Sequence, residues 1–182
     1  MYATTNSPAP VSTLPELREL YTEHVQFVAR VLRRMGVREA DLEDECQEVF
    51  SSLYRRRDSF DGRGTVRSFV FSFARRVAAD YRKRAHIRRE SLTDQVDDAS
   101  VDPSVDDAID TRRARRLLSE VLDGLDDDRR AVFVLFELEQ LPMNEVAELV
   151  GCPLQTAYSR LYSARKHVEA GVERARKTGR FP

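Results

Sequence analysis

From Pro142 to Val168 the chain sets out two short helices around one fixed turn, and this spacing restricts the fold more than any other feature. Met143-Asn144-Glu145-Val146-Ala147-Glu148-Leu149-Val150 reads as an amphipathic helix with Val146, Ala147 and Val150 on one side. Gly151 stops it, because glycine takes positive φ without a steric penalty. Pro153 suits the first turn of the next helix, where a missing N–H costs nothing. Leu154, Ala157, Leu161, Ala164 and Val168 then recur at steps of three and four and form an apolar stripe. Ala147, Gly151 and Ala157 fall where two steeply crossing helices must touch. The opposite face carries Gln155, Thr156, Ser159, Arg160, Tyr162, Ser163, Arg165 and Lys166. These are types of group that contact base edges and phosphates. The pattern is that of a helix-turn-helix whose second helix reads DNA. A helical hairpin with a solvated polar face is the plainer alternative.

The other segments are helical too. A chain of 182 residues suits one domain or two small ones. A helix follows Thr13, with Leu17, Leu20, Tyr21, His24, Val25, Val28, Val31, Leu32 and Met35 on one face and Gly36 at its end. A second runs from about Glu39 to Arg56, with Leu42, Cys46, Val49, Phe50 and Leu53 inward and Glu43, Asp44, Gln47 and Glu48 outward. Asp58 to Gly64 is a loop. Thr65 caps a third helix to about Arg89, its stripe being Val66, Phe69, Val70, Phe73, Val77 and Tyr81. Helices resume near Arg112, and another spans about Asp127 to Glu139. No β pattern of useful length occurs. The expected fold is all-α: a disordered leader (1–14), a helical domain (15–90), a flexible acidic linker (91–111), a helix-turn-helix domain (112–170) and a basic tail (171–182).

A net charge of −1 conceals strong segregation. Gly36 to Leu53 is acidic, and Arg55 to Arg89 is dense in arginine. Ser91 to Asp110 holds seven aspartates and no base, and the chain turns basic again after Arg160. Alternating blocks of this kind suggest nucleic-acid surfaces separated by a solvated acidic connector. Cys46 and Cys152 lie far apart without metal-ligand spacing, which argues against zinc and disulfides and fits a reducing cytoplasm. No cofactor and no metal are implied. No apolar run approaches the length of a membrane span.

In the arginine-rich helix, cations alternate with aromatics. Arg63, Arg67, Arg75, Arg76, Arg82, Lys83 and Arg84 stand among Phe60, Phe69, Phe71, Phe73 and Tyr81. Cations neutralise phosphates, and aromatic faces hold unstacked bases at about 1–3 kcal/mol each. Opening duplex costs roughly 1.4 kcal/mol per base-pair step. A few captured bases therefore nearly offset a short local melting. Phe69 and Phe73 share the apolar stripe and are assigned to the core. Phe60 in the loop and Phe71 off the stripe are the exposed candidates. Ordinary binding to duplex backbone remains an alternative.

Together these segments resemble a bacterial sigma factor of the extracytoplasmic-function group, which retains only regions 2 and 4. Asp41-Leu42-Glu43-Asp44-Glu45-Cys46-Gln47-Glu48-Val49-Phe50 is similar to region 2.2, which docks on the β′ clamp helices of core RNA polymerase. The resemblance makes Asp41, Glu43, Asp44, Gln47, Glu48 and Phe50 its polymerase contacts. Asp58 to Asp61 and Phe69 to Arg82 resemble regions 2.3 and 2.4, which open and read the −10 element; Phe60, Arg63, Arg67, Phe71, Arg75, Arg76 and Arg82 are the corresponding DNA contacts. Leu125 to Leu141 resembles region 4.1, and Met143 to Lys166 resembles region 4.2. The implied −35 contacts are Gln155, Thr156, Tyr158, Ser159, Arg160, Ser163, Arg165 and Lys166. The implied partners are core polymerase (β′ clamp helices and β flap), promoter DNA and an anti-sigma factor acting in trans. The chain departs from the family in carrying Phe69 where tryptophan is frequent and Arg76 where asparagine is. Its Gln155-Thr156-Ala157-Tyr158-Ser159-Arg160 replaces a frequent Gly-Thr-Val-Lys-Ser-Arg, so Tyr158 stands in place of a cation. The acidic linker is either a nucleic-acid mimic in the polymerase RNA channel or a solvated tether.

Two other functions compete. A stand-alone helix-turn-helix regulator would usually dimerise on two half-sites, and no apolar dimer seam is visible. A metal-dependent nuclease would have to use Asp41, Glu45 and Glu48, but no histidine, asparagine or phosphate loop completes such a site.

Overall fold

The chain, described here by a computed structural model for residues 14–91, 114 and 117–179, is helical in every element among those residues. The elements are α1 (Leu17–Arg34), α2 (Leu42–Arg55), α3 (Val66–Ser91), α4 (117–123), α5 (Asp127–Phe133), α6 (Met143–Val150) and α7 (Leu154–Lys177). Nearly all of the expected leader and of the expected acidic linker lie outside the described residues; Leu14, counted in the leader, packs against the core.

Local chemistry accounts for the boundaries. In α1 the buried set is Leu20, His24, Phe27, Val28, Val31 and Leu32, while Arg33 and Arg34 occupy the last turn, where cations complement the helix dipole. The stripe read for α2 is buried at all five positions, Leu42, Cys46, Val49, Phe50 and Leu53. Thr65 caps α3, its Oγ1 accepting from the Ser68 backbone N–H at 3.2 Å. Asp126 caps α5 in the same way, accepting from the Arg129 N–H at 2.8 Å. Beyond α5, Val134–Leu138 widens into a π-helical turn.

Gly151 adopts φ 68°, the left-handed conformation that ends α6, and Pro153 stands just ahead of α7, not within its first turn. A side chain on Gly151 would meet nothing, so its role is backbone angle and not the helix crossing expected of it. Ala147 and Ala157 are buried as that crossing requires. The other decisive glycine is Gly171, where a Cβ would lie 2.6 Å from both Val121 methyl carbons. It lets α7 run on to Lys177 against α4, with Leu117, Val121 and Ala175 forming a small separate cluster.

The main core runs from α1–α3 into α5–α7 without a break. Helix α3 lies between α1 and α2 on one side and α5 and α6 on the other. Two helical domains are present in sequence order, but they pack on each other. The end of α1 is a hub of this packing. The Met35 carbonyl accepts from Arg82 Nη1 at 2.7 Å and from Arg130 Nη1 at 3.3 Å. Arg130 is 1% exposed, and its Nη2 donates to Asp123 at 2.8 Å.

His24 is buried in α1, and its Nε2 has no hydrogen-bond partner. Burial pushes its pKa below the usual 6.5; the nearby Glu23 opposes this, and the Arg67 charge adds to it. The folded protein therefore binds this proton less readily than the unfolded chain. Stability is fully present above about pH 6.5 and falls as pH drops through the unfolded value. His24→Leu is expected to flatten that acid-side loss, measured as the urea midpoint at several pH values.

Candidate nucleic-acid interface

The acidic face of α2 is exposed at Glu43, Asp44, Gln47 and Glu48. Glu48 accepts from the Ser52 hydroxyl at 2.6 Å and from Arg55 Nη2 at 2.7 Å, and these contacts hold its carboxyl below the usual range. Glu43 and Asp44 take part in no ion pair among the described residues. Asp41 is half-buried and structural: its Oδ2 accepts from the Tyr81 hydroxyl at 2.5 Å and from Arg38 Nε at 2.9 Å, tying the start of α2 to α3. Phe50 does not fit a docking role by direct contact. It is 5% exposed, with its ring 4.9 Å from Tyr21, because it belongs to the inward stripe of α2. Glu45 is paired with Arg84 at 2.6 Å. With Asp41 and Glu45 both engaged, the carboxylate set of the nuclease reading is not left open.

The loop before α3 and the helix itself hold the expected −10 residues. Phe60 is half-buried at the outer end of an aromatic row, edge-on to Phe69 at 5.2 Å, with Phe69 edge-on to Phe73 at 5.1 Å. Arg63 is exposed on the loop, its backbone N–H donating to Asp61 Oδ1 at 3.1 Å. Phe71, expected to be exposed, is instead fully buried and faces Phe27. Helix α3 is covered on two sides, so it has a second inward row, Phe71, Ala74 and Ala78, beside the expected one.

The arginines of α3 divide into two groups. Arg76 is exposed and lines an open cleft between α2 and α3 with Glu48, Arg55, Asp80 and Arg84, a wall of mixed charge. Arg67, Arg75 and Arg82 face the helix-turn-helix unit and are ion-paired to Glu145, Asp128 and Asp127 respectively, Arg75 at 2.8 Å. Arg67 also lies 4.3 Å over the Phe27 ring. Burial, with the Arg130 charge beside it, lowers the pKa of Arg82. From α1, Arg30 and Arg34 hold Glu139 at 3.1 and 2.9 Å. Three of the expected −10 cations thus meet acids of the other unit. Sequence periodicity did not disclose those acids, although the run Asp126-Asp127-Asp128 opposite an arginine-rich helix was a usable signal.

On α7 the inward side is Ala157, Leu161 and Ala164. Leu154, placed on that stripe by its spacing, is half-exposed at the helix start, and Tyr158 and Tyr162 follow it outward. Gln155, Ser159, Arg165 and Lys166 are also exposed, whereas Thr156, Arg160 and Ser163 are partly covered. Arg160 is paired with Asp128, Arg165 Nε donates to Glu137 at 2.6 Å, and Lys166 Nζ sits 4.8 Å from the Tyr162 ring. Asp128 therefore joins Arg75 of α3 to Arg160 of α7.

Comparison with known proteins fits this geometry. Residues 20–88 match Sigma-70 region 2, and residues 115–168 match Sigma-70, region 4. The chain is 28% identical over 159 residues to the ECF RNA polymerase sigma factor SigE of Mycolicibacterium smegmatis, covering 86% of this chain but only 62% of that protein. It is 27% identical over 164 residues to the ECF RNA polymerase sigma-E factor of Haemophilus influenzae, covering 85% and 86%. Among solved structures, CnrH in complex with the cytosolic domain of CnrY superposes with a TM-score of 0.58 at 23% identity, over 86% of this chain and 87% of that one. The sigma factor RpoE in complex with the anti-sigma factor NepR from Bartonella quintana gives 0.58 at 17%, over 88% and 98%. The chain belongs to the sigma-70 family, in its extracytoplasmic-function group.

Proposed function

We propose that this chain is an alternative sigma factor that binds core RNA polymerase and directs initiation, with residues 15–90 engaging polymerase and the −10 element and residues 112–170 the −35 element. The observation that carries the reading is the face of α2. Glu43, Asp44 and Gln47 stand in solvent, and among the described residues no cation of the neighbouring arginine-rich helix is paired with Glu43 or Asp44. An operator-binding regulator has no use for such a face, whereas a basic patch on a large partner is complementary to it. The chain acts by binding and not by catalysis. Among the described residues no helix is long and apolar enough to cross a membrane, and we place the protein in the cytoplasm with its polymerase. Both structural relatives are complexes with a second chain, one of them named an anti-sigma factor, and we extend that class of partner to this protein.

The closed packing is a resting form in this reading. Arg67, Arg75 and Arg82 reach DNA only when Glu145, Asp128 and Asp127 release them. Docking on polymerase supplies the free energy that parts the two units.

The test is co-purification with core polymerase. Glu43→Arg/Asp44→Arg reverses two exposed charges outside the core, and its helix content and thermal midpoint are expected to stay near wild type. Its association with core polymerase is expected to fall at least tenfold in a pull-down titration, since like charge across an interface costs several kcal/mol. Wild-type binding undiminished by this reversal removes the α2 face from the interface. Tight specific operator binding without polymerase favours the regulator instead.

A further inference from the structure

The outward face of α7 is not the cationic surface that a DNA-reading helix usually presents. Leu154, Tyr158 and Tyr162 follow one another at i, i+4 and i+8 and are 47%, 49% and 63% exposed. They form a row of large apolar groups along the helix. The two arginines nearest to it are turned aside. Arg160 is held by Asp128, and Arg165 donates to Glu137 at 2.6 Å while stacking 5.6 Å from the Phe136 ring. Asp128, Glu137 and Phe136 belong to α5 and the turn that continues it, in the same unit as α7. Separation from α1–α3 therefore leaves both arginines tied. Guanine is read in the major groove chiefly by a bidentate arginine or lysine, and either arginine would have to exchange an intramolecular carboxylate for the base to do so.

What remains outward is Gln155, the tyrosine row, Ser159 and Lys166, whose ammonium lies against the Tyr162 ring. No acidic residue occurs from Leu154 to Lys166, so the face is complementary to a polyanion. Among the bases only thymine offers an apolar group in the major groove, its C5 methyl. A leucine and two tyrosine rings match that group, and the tyrosine hydroxyls can still donate to phosphate oxygens.

We propose that Tyr158 and Tyr162, with Leu154, determine −35 specificity by contacting thymine methyl groups, so that this protein selects a thymine-bearing element by apolar contact. The proposal rests on the assignment of α7 to the −35 element. Gln155 sits beside the row and is placed for an adenine next to those thymines.

The experiment uses holoenzyme assembled from the full chain and core RNA polymerase. Duplexes randomised across the −35 segment are selected, and the winning duplex is resynthesised with uracil in place of each thymine in turn. Uracil differs from thymine only in lacking the methyl. The selected segment is expected to be rich in thymine, and each contacted methyl to be worth about three- to fivefold in affinity. Leu154→Ala/Tyr158→Ala/Tyr162→Ala should erase the difference between thymine and uracil, while Tyr158→Phe/Tyr162→Phe preserves it. Equal binding of thymine and uracil duplexes by wild type overturns the proposal. So does discrimination that survives the three alanines, which would leave the tyrosine row to a protein partner. Failure of wild-type holoenzyme to select any −35 sequence overturns the assignment of α7 itself, and this proposal with it.

Discussion

Replacing Phe71 with alanine is expected to remove about 3–5 kcal/mol of folding stability, the cost of deleting a fully buried aromatic ring and leaving its cavity. Phe71 is 1% exposed and lies in the contact between α3 and α1, opposite Phe27. Because α3 is also the helix on which α5 and α6 rest, the cavity would open at the centre of the packing, where neighbours cannot collapse freely. Native proteins have only about 5–15 kcal/mol in total, so the loss is a large share of it and the thermal midpoint should fall by about 6–20 °C. Phe60→Ala is the contrast. Phe60 is half-buried at the end of the aromatic row, and its removal should cost about 1 kcal/mol or less while weakening −10 melting by holoenzyme. Urea unfolding of the two variants checks the pair. A Phe71 variant as stable as wild type would return that ring to the list of base-capturing residues.

The individual helices were legible because their signals are local. The stripe of α2 is a single inward row at helical spacing, and all five of its members are buried. Thr65 caps α3 through its own side chain, and Gly151 supplies the positive φ that ends α6. Errors arose where burial depends on more than one neighbour. Phe71 lies off the single row counted for α3, but α3 buries a second row beside it, and this ring meets Phe27 of α1. Leu154 lies on the inward row by count, yet it is the first residue of α7 and is 47% exposed.

The site was legible as faces and not as contacts. The acid row of α2 and the polar side of α7 are periodic patterns, and both are turned to solvent. The pairing of Arg82 with Asp127 and of Arg67 with Glu145 joins positions 45 and 78 residues apart, and no local regularity marks such pairs. The type and density of Arg67, Arg75 and Arg82 point to anion-binding cations. That intramolecular carboxylates occupy them follows only from how the two units pack. The same fact gives the net charge a meaning: the near balance of acids and bases is in part a balance between surfaces that face each other.

Asp127→Asn/Asp128→Asn is expected to loosen that packing and raise the affinity of the isolated chain for duplex DNA. These two carboxylates hold Arg82, Arg75 and Arg160, and amides of the same size leave the apolar contacts in place. The side chains are partly solvated, so each pair contributes only about 0.2–1 kcal/mol and is screened by salt. The substitution therefore shifts a closed–open equilibrium without abolishing the closed form, which the continuous core still supports. Small-angle scattering should show a mean radius of gyration above the roughly 16 Å of a compact chain of this length. Freed cations should give about tenfold tighter binding to non-specific duplex at low salt, and a steeper dependence of log affinity on log salt. Wild type should approach the variant as salt is raised, because screening weakens the same pairs. Glu43→Gln/Asp44→Asn, on the acidic face of α2, removes the same two negative charges without touching the packing and separates this release from a change in net charge. An Asp127→Asn/Asp128→Asn variant that gains no more than this control in DNA binding, and keeps the wild-type radius, would show that apolar contacts alone hold the units together and that the ion pairs do not guard these arginines.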